Sequence, residues 1–339
     1  MTTQAPADRR VPEGLVLRPY AGPADIIEMV RIFNASNERI GIDERISVEV
    51  LTNGLAHPSD RFDPALDVVV AQVAEKVVAY GWTAWIDTTD GLREHRTRGQ
   101  VDPDWERRGI GSAILAHNEA RARMVATGHA TDRPRVYGTW AADRRPTAAA
   151  LLTANGYQPV RYFFDMLRPT LDEVEVPPMP DGIEVRAADD PSRYRQLFDA
   201  DAEAFVDHWG GFTADDAAFA EWTQDPDFDP SLFVVGWDGD HVAGAVFNKI
   251  EARENEELNR KRGLLDSVFV RRPWRRRGLA AALVARSLVQ LRERGMTSAW
   301  LGVDADNPTS ALGVYERAGF AVDRRSTAYR KPMDLEPKP

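Results

Sequence analysis

An arginine-rich turn between a β-rich run and an apolar helix carries the clearest chemical potential in the chain. The turn and its flanks read Val268-Phe269-Val270, then Arg275-Arg276-Arg277-Gly278-Leu279-Ala280. Leucines at 279, 283, 288 and 291 mark one face of the helix that follows. A helix start offers unpaired backbone N–H groups and the positive end of a dipole, and arginines add donors that suit phosphate oxygens. The stretch therefore predicts a phosphate-binding site at a strand–loop–helix junction.

A second candidate segment lies about 30 residues downstream. A short strand-like run over residues 299–303 is followed by Asn307 and Pro308, which are typical of a helix cap and a first helical turn. Gly319 is the expected stop of that helix, and Tyr315 lies inside it. A tyrosine on an apolar helix face is ordinarily a core residue, so Tyr315 alone would not indicate chemistry.

Together the two segments resemble the signatures of the GNAT N-acetyltransferase superfamily. The spacing Arg275-x-x-Gly278-x-Ala280 is similar to the family loop that binds the acetyl-CoA pyrophosphate, and residues 307–320 are similar to the family pattern Asn-x-x-Ala…Tyr-x-x-x-Gly-Phe. The resemblance implies an acetyl-CoA-dependent transfer of an acetyl group to an amine.

The resemblance also assigns roles to individual residues. It implies that acetyl-CoA contacts Val268, Phe269, Val270, Arg275, Arg276, Arg277, Gly278, Leu279, Ala280 and Asn307. Tyr315 would be the general acid that protonates the leaving thiolate, since a tyrosine with a pKa near ~10 is protonated at neutral pH. Asp266 would take the amine proton directly or through a water; by the period of two it should share a strand face with Val268 and Val270. The alternative for Asp266 is a solvated residue at a strand edge.

The same loop occurs a second time, 169 positions earlier. Val101 aligns with Val270 and Gly109 with Gly278. This first copy could bind acetyl-CoA through Val101, Arg107, Arg108, Gly109 and Gly111. It departs from the pattern, because Glu106 opens the loop, Leu152 takes the place of Tyr315, Arg144 that of Asn307 and Thr97 that of Asp266. Leucine cannot donate a proton, so we expect this copy to be catalytically impaired.

The repeat predicts two tandem GNAT domains. Residues 15–168 would form the impaired domain and residues 183–335 the catalytic one, joined by a Pro-rich acidic connector. Each copy orders its elements as strand, helices, strands, loop and helix, strand, helix and final strands, which predicts an α+β (α/β three-layer) fold. The sheet of each domain should be mixed and mostly antiparallel, with helices on its flanks.

Composition excludes several classes of protein. A net charge of −10 disfavours nucleic-acid and anionic-membrane partners. The chain has no cysteine, which excludes disulfides and acyl-cysteine intermediates, and its six histidines occur singly, so no metal site is expected. No apolar run reaches the roughly 18–20 residues that span a bilayer, and a cytoplasmic monomer or homodimer is the default expectation.

The acceptor is expected to be a small-molecule amine. Residues 204–212, with Phe205, His208 and Trp209, mix aromatic and polar groups and could form a lid over it, although His208 and Trp209 could equally cap a helix junction. An antibiotic or aminoglycoside N-acetyltransferase is an alternative within the same fold. A non-catalytic acyl-CoA-binding module is an alternative of another class.

Overall fold

The computed structural model describes residues 11–206, 208–211, 213–306 and 311–334. The N-terminal half of the chain contributes six strands and five helices. They are β1 (Leu15–Pro19), α1 (Pro23–Arg39), α2 (Val48–Leu55), α3 (Pro64–Asp67), β2 (Val68–Val73), β3 (Lys76–Asp87), β4 (Arg93–Val101), α4 (Ile110–Gly128), β5 (Arg135–Ala142), α5 (Pro146–Ala154) and β6 (Gln158–Arg168).

The C-terminal half repeats this order, except that a 3-10 turn stands at the place of α3 and a short helix is inserted between the third and fourth of its strands. Its elements are β7 (Glu184–Arg186), α6 (Tyr194–Phe205), α7 (Asp216–Thr223), β8 (Val234–Asp238), β9 (His241–Lys249), α8 (Ala252–Glu257), β10 (Arg262–Val270), α9 (Leu279–Glu293), β11 (Ser298–Asp304), α10 (Ala311–Arg317) and β12 (Ala321–Pro332). The internal repeat of the sequence thus corresponds to a repeated order of elements.

All twelve strands form one continuous sheet. Its order is β1-β2-β3-β4-β5-β12-β6-β11-β10-β9-β8-β7. Only the β4–β5 and β10–β11 pairs are parallel, and the other pairs of neighbouring strands in the described chain are antiparallel. The mixed, mostly antiparallel sheet expected from the sequence is confirmed.

The two halves exchange their last strands at the centre of this sheet. β6 follows α5 in the chain but pairs with β11 of the C-terminal half, from Ala299–Arg168 to Asp304–Phe163. β12 in turn lies between β5 and β6. Each half therefore completes its part of the sheet with a strand from the other half.

Helices cover both faces of the sheet and make it the middle of three layers. In the C-terminal half, Leu283 and Leu288 of α9 pack in a cluster on one face, and Leu197 of α6 packs with Phe247 and Phe269 on the other. In the N-terminal half, α4 and α1 take the corresponding places. Within the described residues, no helix combines the length and apolar character needed to span a bilayer.

The exchanged strand β12 should be critical for stability. Ala328 lies in it at the centre of the sheet and is 1% exposed, whereas Ala321 at its start is exposed. We expect Ala328→Asp to lower the free energy of unfolding by at least about 3 kcal/mol, because it buries an unpaired charge, and Ala321→Asp to change it by less than about 0.5 kcal/mol. Denaturant titration measures both, and equal stability of the two variants would contradict this account of β12.

Candidate active site

A gap opens in the sheet between β10 and β11. The two strands pair only from Arg262–Ser298 to Leu264–Trp300. Beyond this point β10 runs on along β9 to Val270, and β11 runs on along β6 to Asp304. The edges that face each other across the gap keep backbone donors and acceptors that an extended ligand could pair with.

A β-bulge lies in β10 at the start of the gap. Leu265 pairs with Asn248 on β9, but Ser267 pairs with Phe247, so Asp266 is the extra residue. Bulges re-aim side chains and are frequent beside active sites. In the N-terminal half, the described register of β3 with β4 has no such shift.

The bulge changes the face on which Asp266 lies. Leu265 packs in the cluster beneath α9, and beyond the bulge Val268 and Val270 pack there. Asp266 lies on the other face, where it lines a small cavity with Lys249 and aromatic side chains of the cluster beneath α6 and α7. The expectation that Asp266 shares a face with Val268 and Val270 is therefore wrong, because a period-two count does not allow for an extra residue.

Asp266 lies in an open recess beside other charged groups. Solvent reaches its side chain. Burial among protein atoms raises the pKa of Asp266, Lys249 opposes this rise, and Asp225 adds to it. Lys249 donates to Asp225 over 2.9 Å. A carboxylate with a raised pKa is a stronger proton acceptor than an ordinary aspartate.

A second carboxyl group, Asp201 on α6, lies close to the bulge. It is 7% exposed, and Ser267 Oγ donates to its Oδ1 over 2.6 Å. Burial raises the pKa of Asp201 to about 7; the hydrogen bond from Ser267 opposes the rise and the charge of Asp266 adds to it. Sequence reasoning missed this residue. An aspartate on the same helical face as Leu197 and Ala204 was the available signal.

The loop after β10 has a distinctive backbone conformation. A short 3-10 turn at Arg272–Trp274 is followed by Arg276 with φ 61° and Gly278 with φ 82°, and then α9 begins. The N-terminal half has the same conformation, with φ 63° at Arg107 and φ 78° at Gly109 before α4. Left-handed residues at a helix start turn backbone N–H groups toward one side and create an anion-binding concavity.

Position 278 requires glycine because its φ angle is positive, and not because neighbouring atoms would exclude a side chain. A Cβ atom there would meet no atom within 4 Å. The concavity in front of α9 is thus open, and its shape fits an approaching phosphate group.

The arginines of this loop have different surroundings. Arg275 donates through Nε to Val270 O over 2.9 Å and through Nη2 to Ala204 O over 3.2 Å, so it ties the loop to β10 and α6. Arg277 donates to Asp181 O over 2.8 Å. Arg276 is exposed and has no polar partner in the described part of the chain, which leaves it available to a ligand.

Arg271 lies at the start of the loop and is held by contacts with α6 and β9. Its guanidinium pairs with Glu203 over 2.6 Å, donates to Val242 O and lies 5.4 Å from the ring centre of Trp274. The end of α6 therefore lies against this loop.

Tyr315 of α10 packs on the same face of the sheet as α9. It is 6% exposed and belongs to the same packed cluster as Val303 of β11, with Val268 and Val270 of β10 against it. Its ring is 6.2 Å from that of Phe320, and burial raises the pKa of Tyr315. The phenol therefore stays protonated at neutral pH. Asn307, expected to act nearby, lies outside the described residues.

The corresponding gap in the N-terminal half is bridged by protein side chains. β4 and β5 pair only from Arg93–Arg135 to Arg96–Gly138 and then separate. Arg145, three residues after β5, donates to Gln100 near the end of β4, which joins the two edges.

Two further features distinguish the N-terminal gap. Arg144 donates to Gly41 O over 2.5 Å and ties the α1–α2 loop to the start of α5. Leu152, which takes the place of Tyr315, is 6% exposed and packs in an apolar cluster.

At the N-terminal loop, Arg108 donates to Asp104 O and lies 4.8 Å from the ring centre of Trp105.

The fold and this site define a class of enzyme. Residues 194–320 match the model of the acetyltransferase (GNAT) family. A "Mycothiol acetyltransferase" from Salinispora tropica is 33% identical over 248 residues, which cover 70% of this chain and 73% of that relative. The chain belongs to the GNAT acetyltransferase family, and it is an acyltransferase, as expected from its two signatures.

Two further similarities extend over nearly the whole chain. A "Mycothiol acetyltransferase" from Geodermatophilus obscurus is 27% identical over 316 residues, which cover 92% of this chain and 94% of the relative. The crystal structure of a GCN5-related N-acetyltransferase from Sphaerobacter thermophilus aligns with a TM-score of 0.69 and 25% identity, over 96% of this chain and 98% of that one.

A tandem GNAT protein from the clavulanic acid biosynthesis pathway has the same fold. It aligns with a TM-score of 0.67 and 18% identity, over 96% of this chain and all of the other. The tandem GNAT architecture predicted from the internal repeat is thus confirmed.

The raised pKa of Asp201 predicts a pH-dependent stability. Between the unfolded pKa near ~3.9 and the folded value of about 7, the native state holds a proton that the unfolded state has lost. Stability should therefore fall as pH rises through this window, by up to ~1.4 kcal/mol per pH unit from this one group. Asp201→Asn keeps the acceptor for Ser267 and should remove that loss of stability. The free energy of unfolding of the variant, relative to that of the parent protein, should therefore rise from pH 5 to pH 8.

Denaturant titrations at several pH values measure this effect. Asp199→Asn, exposed on the same helix, is the matched control and should follow the parent protein. An Asp201→Asn variant whose stability runs parallel to that of the parent from pH 5 to pH 8 would contradict the assignment.

Proposed function

We propose that this chain is an acetyl-CoA-dependent N-acetyltransferase that acts on the primary amine of a small molecule, with its chemistry in residues 183–335. The observation that carries the proposal is the combination of three features: the open gap between β10 and β11, the left-handed loop that follows β10, and Tyr315 in the cluster that also contains residues of both strands. The bridged gap of the N-terminal half lacks this combination.

The loop is suited to hold the pyrophosphate of acetyl-CoA. Backbone N–H groups around Gly278, Leu279 and Ala280 point out of the helix start, where the helix dipole also favours negative charge. Arg276 adds an available cation, whereas Arg275 and Arg277 shape the loop through carbonyl contacts. The backbone of residues 268–270 would then bind the extended arm within the gap. When bound, acetyl-CoA supplies an activated thioester.

Tyr315 is the proposed general acid. The transfer needs a proton at the leaving sulfur, and a buried phenol holds that proton across the physiological range. Its cluster includes Val303 of β11 and has Val268 and Val270 of β10 packed against it, which supports a place for Tyr315 near an arm bound between these strands.

Asp266 is the proposed acceptor-side carboxylate. Because the bulge directs it to the face of α6 and α7, it lies across the sheet from the cluster that contains Tyr315. An amine entering on that face would meet Asp266 and Asp225 beside Lys249, a site with net negative charge. The raised pKa of Asp266 suits it to take the amine proton, directly or through a water.

The acceptor class can be narrowed from the relatives. Two relatives that are similar over most of this chain carry the name mycothiol acetyltransferase, so we infer that an amino group of a thiol-sugar acceptor is the first substrate to test. Aminoglycosides form the second group. A non-catalytic acyl-CoA-binding module remains the competing class.

We propose that the N-terminal half, residues 15–168, does not catalyse transfer. Its loop offers the same backbone concavity at Arg107 to Gly111, and acetyl-CoA could reach it. The Arg145–Gln100 bridge then obstructs the gap, and Leu152 offers no proton. The described register of β3 with β4 has no bulge. Thr97 stands at the place of Asp266, so the N-terminal half also offers no carboxylate there.

The direct test is a thiol-release assay. The full chain is incubated with acetyl-CoA and a panel of thiol sugars, amino sugars, aminoglycosides and simple amines, and coenzyme A release is followed. Turnover with one class supports the proposal. Binding of acetyl-CoA by calorimetry with no turnover on any amine would favour the non-catalytic module.

Replacing Tyr315 separates catalysis from binding. We expect Tyr315→Phe to lower kcat by about 10²-fold or more while the acetyl-CoA Kd changes less than about threefold, because the phenol acts on the leaving group. Tyr157→Phe is the matched control, since Tyr157 is fully buried in the N-terminal half and should leave kcat unchanged. Equal losses in kcat and in cofactor affinity for Tyr315→Phe would remove Tyr315 from the acid role.

Replacing Gly278 tests the phosphate site. Gly278→Val forces a β-branched residue to φ 82° and should weaken acetyl-CoA binding at least about tenfold. Gly295→Val is an unusually close control, because Gly295 has φ 84°, open space around its Cβ position, and a place at the opposite end of α9. Both variants should lose similar stability, but only Gly278→Val should raise the Kd measured by calorimetry; similar Kd values for the two would count against the loop.

A further inference from the structure

We propose that the N-terminal half holds the acceptor-side loop of the C-terminal half in place. The positioning residues are Trp209, on the loop itself, and Arg96, on β4 of the N-terminal half. The acceptor loop is defined here as residues 206 and 208–211, between α6 and α7. This inference rests on the proposed function, since it assigns to the loop an effect on the amine acceptor.

The acceptor loop runs from one side of the gap to the other. It begins after Ala204, whose carbonyl accepts from Arg275, which also bonds Val270 O at the end of β10. Farther along, the ring of Trp209 lies 5.8 Å from that of Phe163. Phe163 pairs with Asp304 at the end of β11. The loop therefore spans the outer ends of the two strands that border the gap.

Hydrogen bonds from side chains of the β3–β4 hairpin to backbone carbonyls of the loop attach this loop to the N-terminal half. Thr89 Oγ1 donates to His208 O over 2.8 Å, and Arg96 Nη2 donates to Gly210 O over 2.5 Å. At Gly211 the backbone passes so close to the hairpin that a Cβ atom would lie 2.8 Å from Asp87 O. These contacts fix the course of the main chain rather than only one side chain.

Trp209 adds an aromatic anchor on the same surface. Its ring lies 4.2 Å from the guanidinium carbon of Arg330 on β12 and 6.5 Å from the ring of Trp140 on β5. A cation over an indole face is attracted by the negative charge of the ring face, and more strongly when the pair is desolvated. The anchor thus joins the loop to strands that belong to both halves.

A buried carboxylate holds these two cations in position. Glu94 on β4 is fully buried and accepts from Arg96 Nε over 2.9 Å and from Arg330 Nε over 2.6 Å. Arg330 also donates to Asp90 over 2.5 Å. Since a buried charge is costly without its partners, the guanidinium groups that contact the loop have little freedom to move.

The reciprocal contact occurs on the other side of the molecule. The α1–α2 loop of the N-terminal half contacts the C-terminal half, where Arg45 N donates to Glu254 over 2.7 Å and Arg260 donates to Asp43 O over 2.9 Å. Each half therefore supports the helix-to-helix loop of the other. In the described part of the chain, the gap beside the α1–α2 loop is bridged, whereas the gap beside the acceptor loop is open. Support of the acceptor loop would therefore be the support that affects a substrate.

The test compares two tryptophans in the full chain. Trp209→Ala should raise the KM for the amine acceptor at least about tenfold and change the acetyl-CoA Kd less than about twofold, because the loop borders the acceptor face and not the phosphate loop. Trp209→Phe should recover most of the loss. Trp85→Ala is the control: Trp85 also has an arginine, Arg93, 4.2 Å from its ring, but has no contact with the loop among the described residues.

A second measurement does not depend on turnover. Hydrogen exchange at residues 204–213, measured with coenzyme A present, should accelerate in Trp209→Ala and, to a smaller extent, in Thr89→Ala, which removes only the bond to His208 O. Trp85→Ala should leave it unchanged. Faster exchange without any amine turnover in the parent protein would support the anchoring while the proposed function fails.

The inference is overturned by either of two results. Exchange at residues 204–213 that stays unchanged in Trp209→Ala would show that the N-terminal half does not hold the loop. Faster exchange with an unchanged acceptor KM would show that the held loop has no part in acceptor binding.

Discussion

The exchange of β6 and β12 is the constraint on which the rest of the structure depends. A sheet edge presents unpaired backbone groups, and each half of this chain would have such an edge without the other's last strand. Pairing β6 with β11 and β12 with β5 removes both edges at once. It also fixes the two halves relative to each other, because a strand cannot shift in register without moving its side chains to the wrong face.

This fixed arrangement explains how one half can serve the other. β6 supplies Arg161, whose guanidinium binds both oxygens of Asp304 at 2.8 and 2.9 Å and so supports the end of β11. β12 supplies Arg330, which lies under Trp209. Strands from both halves thus meet at the mouth of the gap between β10 and β11.

The features that depend on the type of a single residue could be predicted from the sequence. Gly109 and Gly278 were predicted to lie in a loop directly before a helix, and each does precede one. The departure of the first copy at Leu152 is likewise a matter of residue type. The strand exchange was not predictable in the same way, because β6 and β12 follow equivalent helices and have no local feature that selects a partner strand.

The bulge at Asp266 shows why the acceptor side is harder to predict than the phosphate side. A bulge arises from the pairing of β10 with β9, and no residue type in the sequence 264–268 marks it. Yet it decides which face receives Asp266 and brings that carboxyl group within the influence of Asp201 and Asp225. Asp225 and Asp266 lie beside one lysine, Lys249, so the recess carries a net negative charge that a bound cation would neutralise. An amine that arrives as its ammonium form would be stabilised by this group of carboxylates and would give up its proton there, so recognition and deprotonation of the acceptor would depend on the same residues.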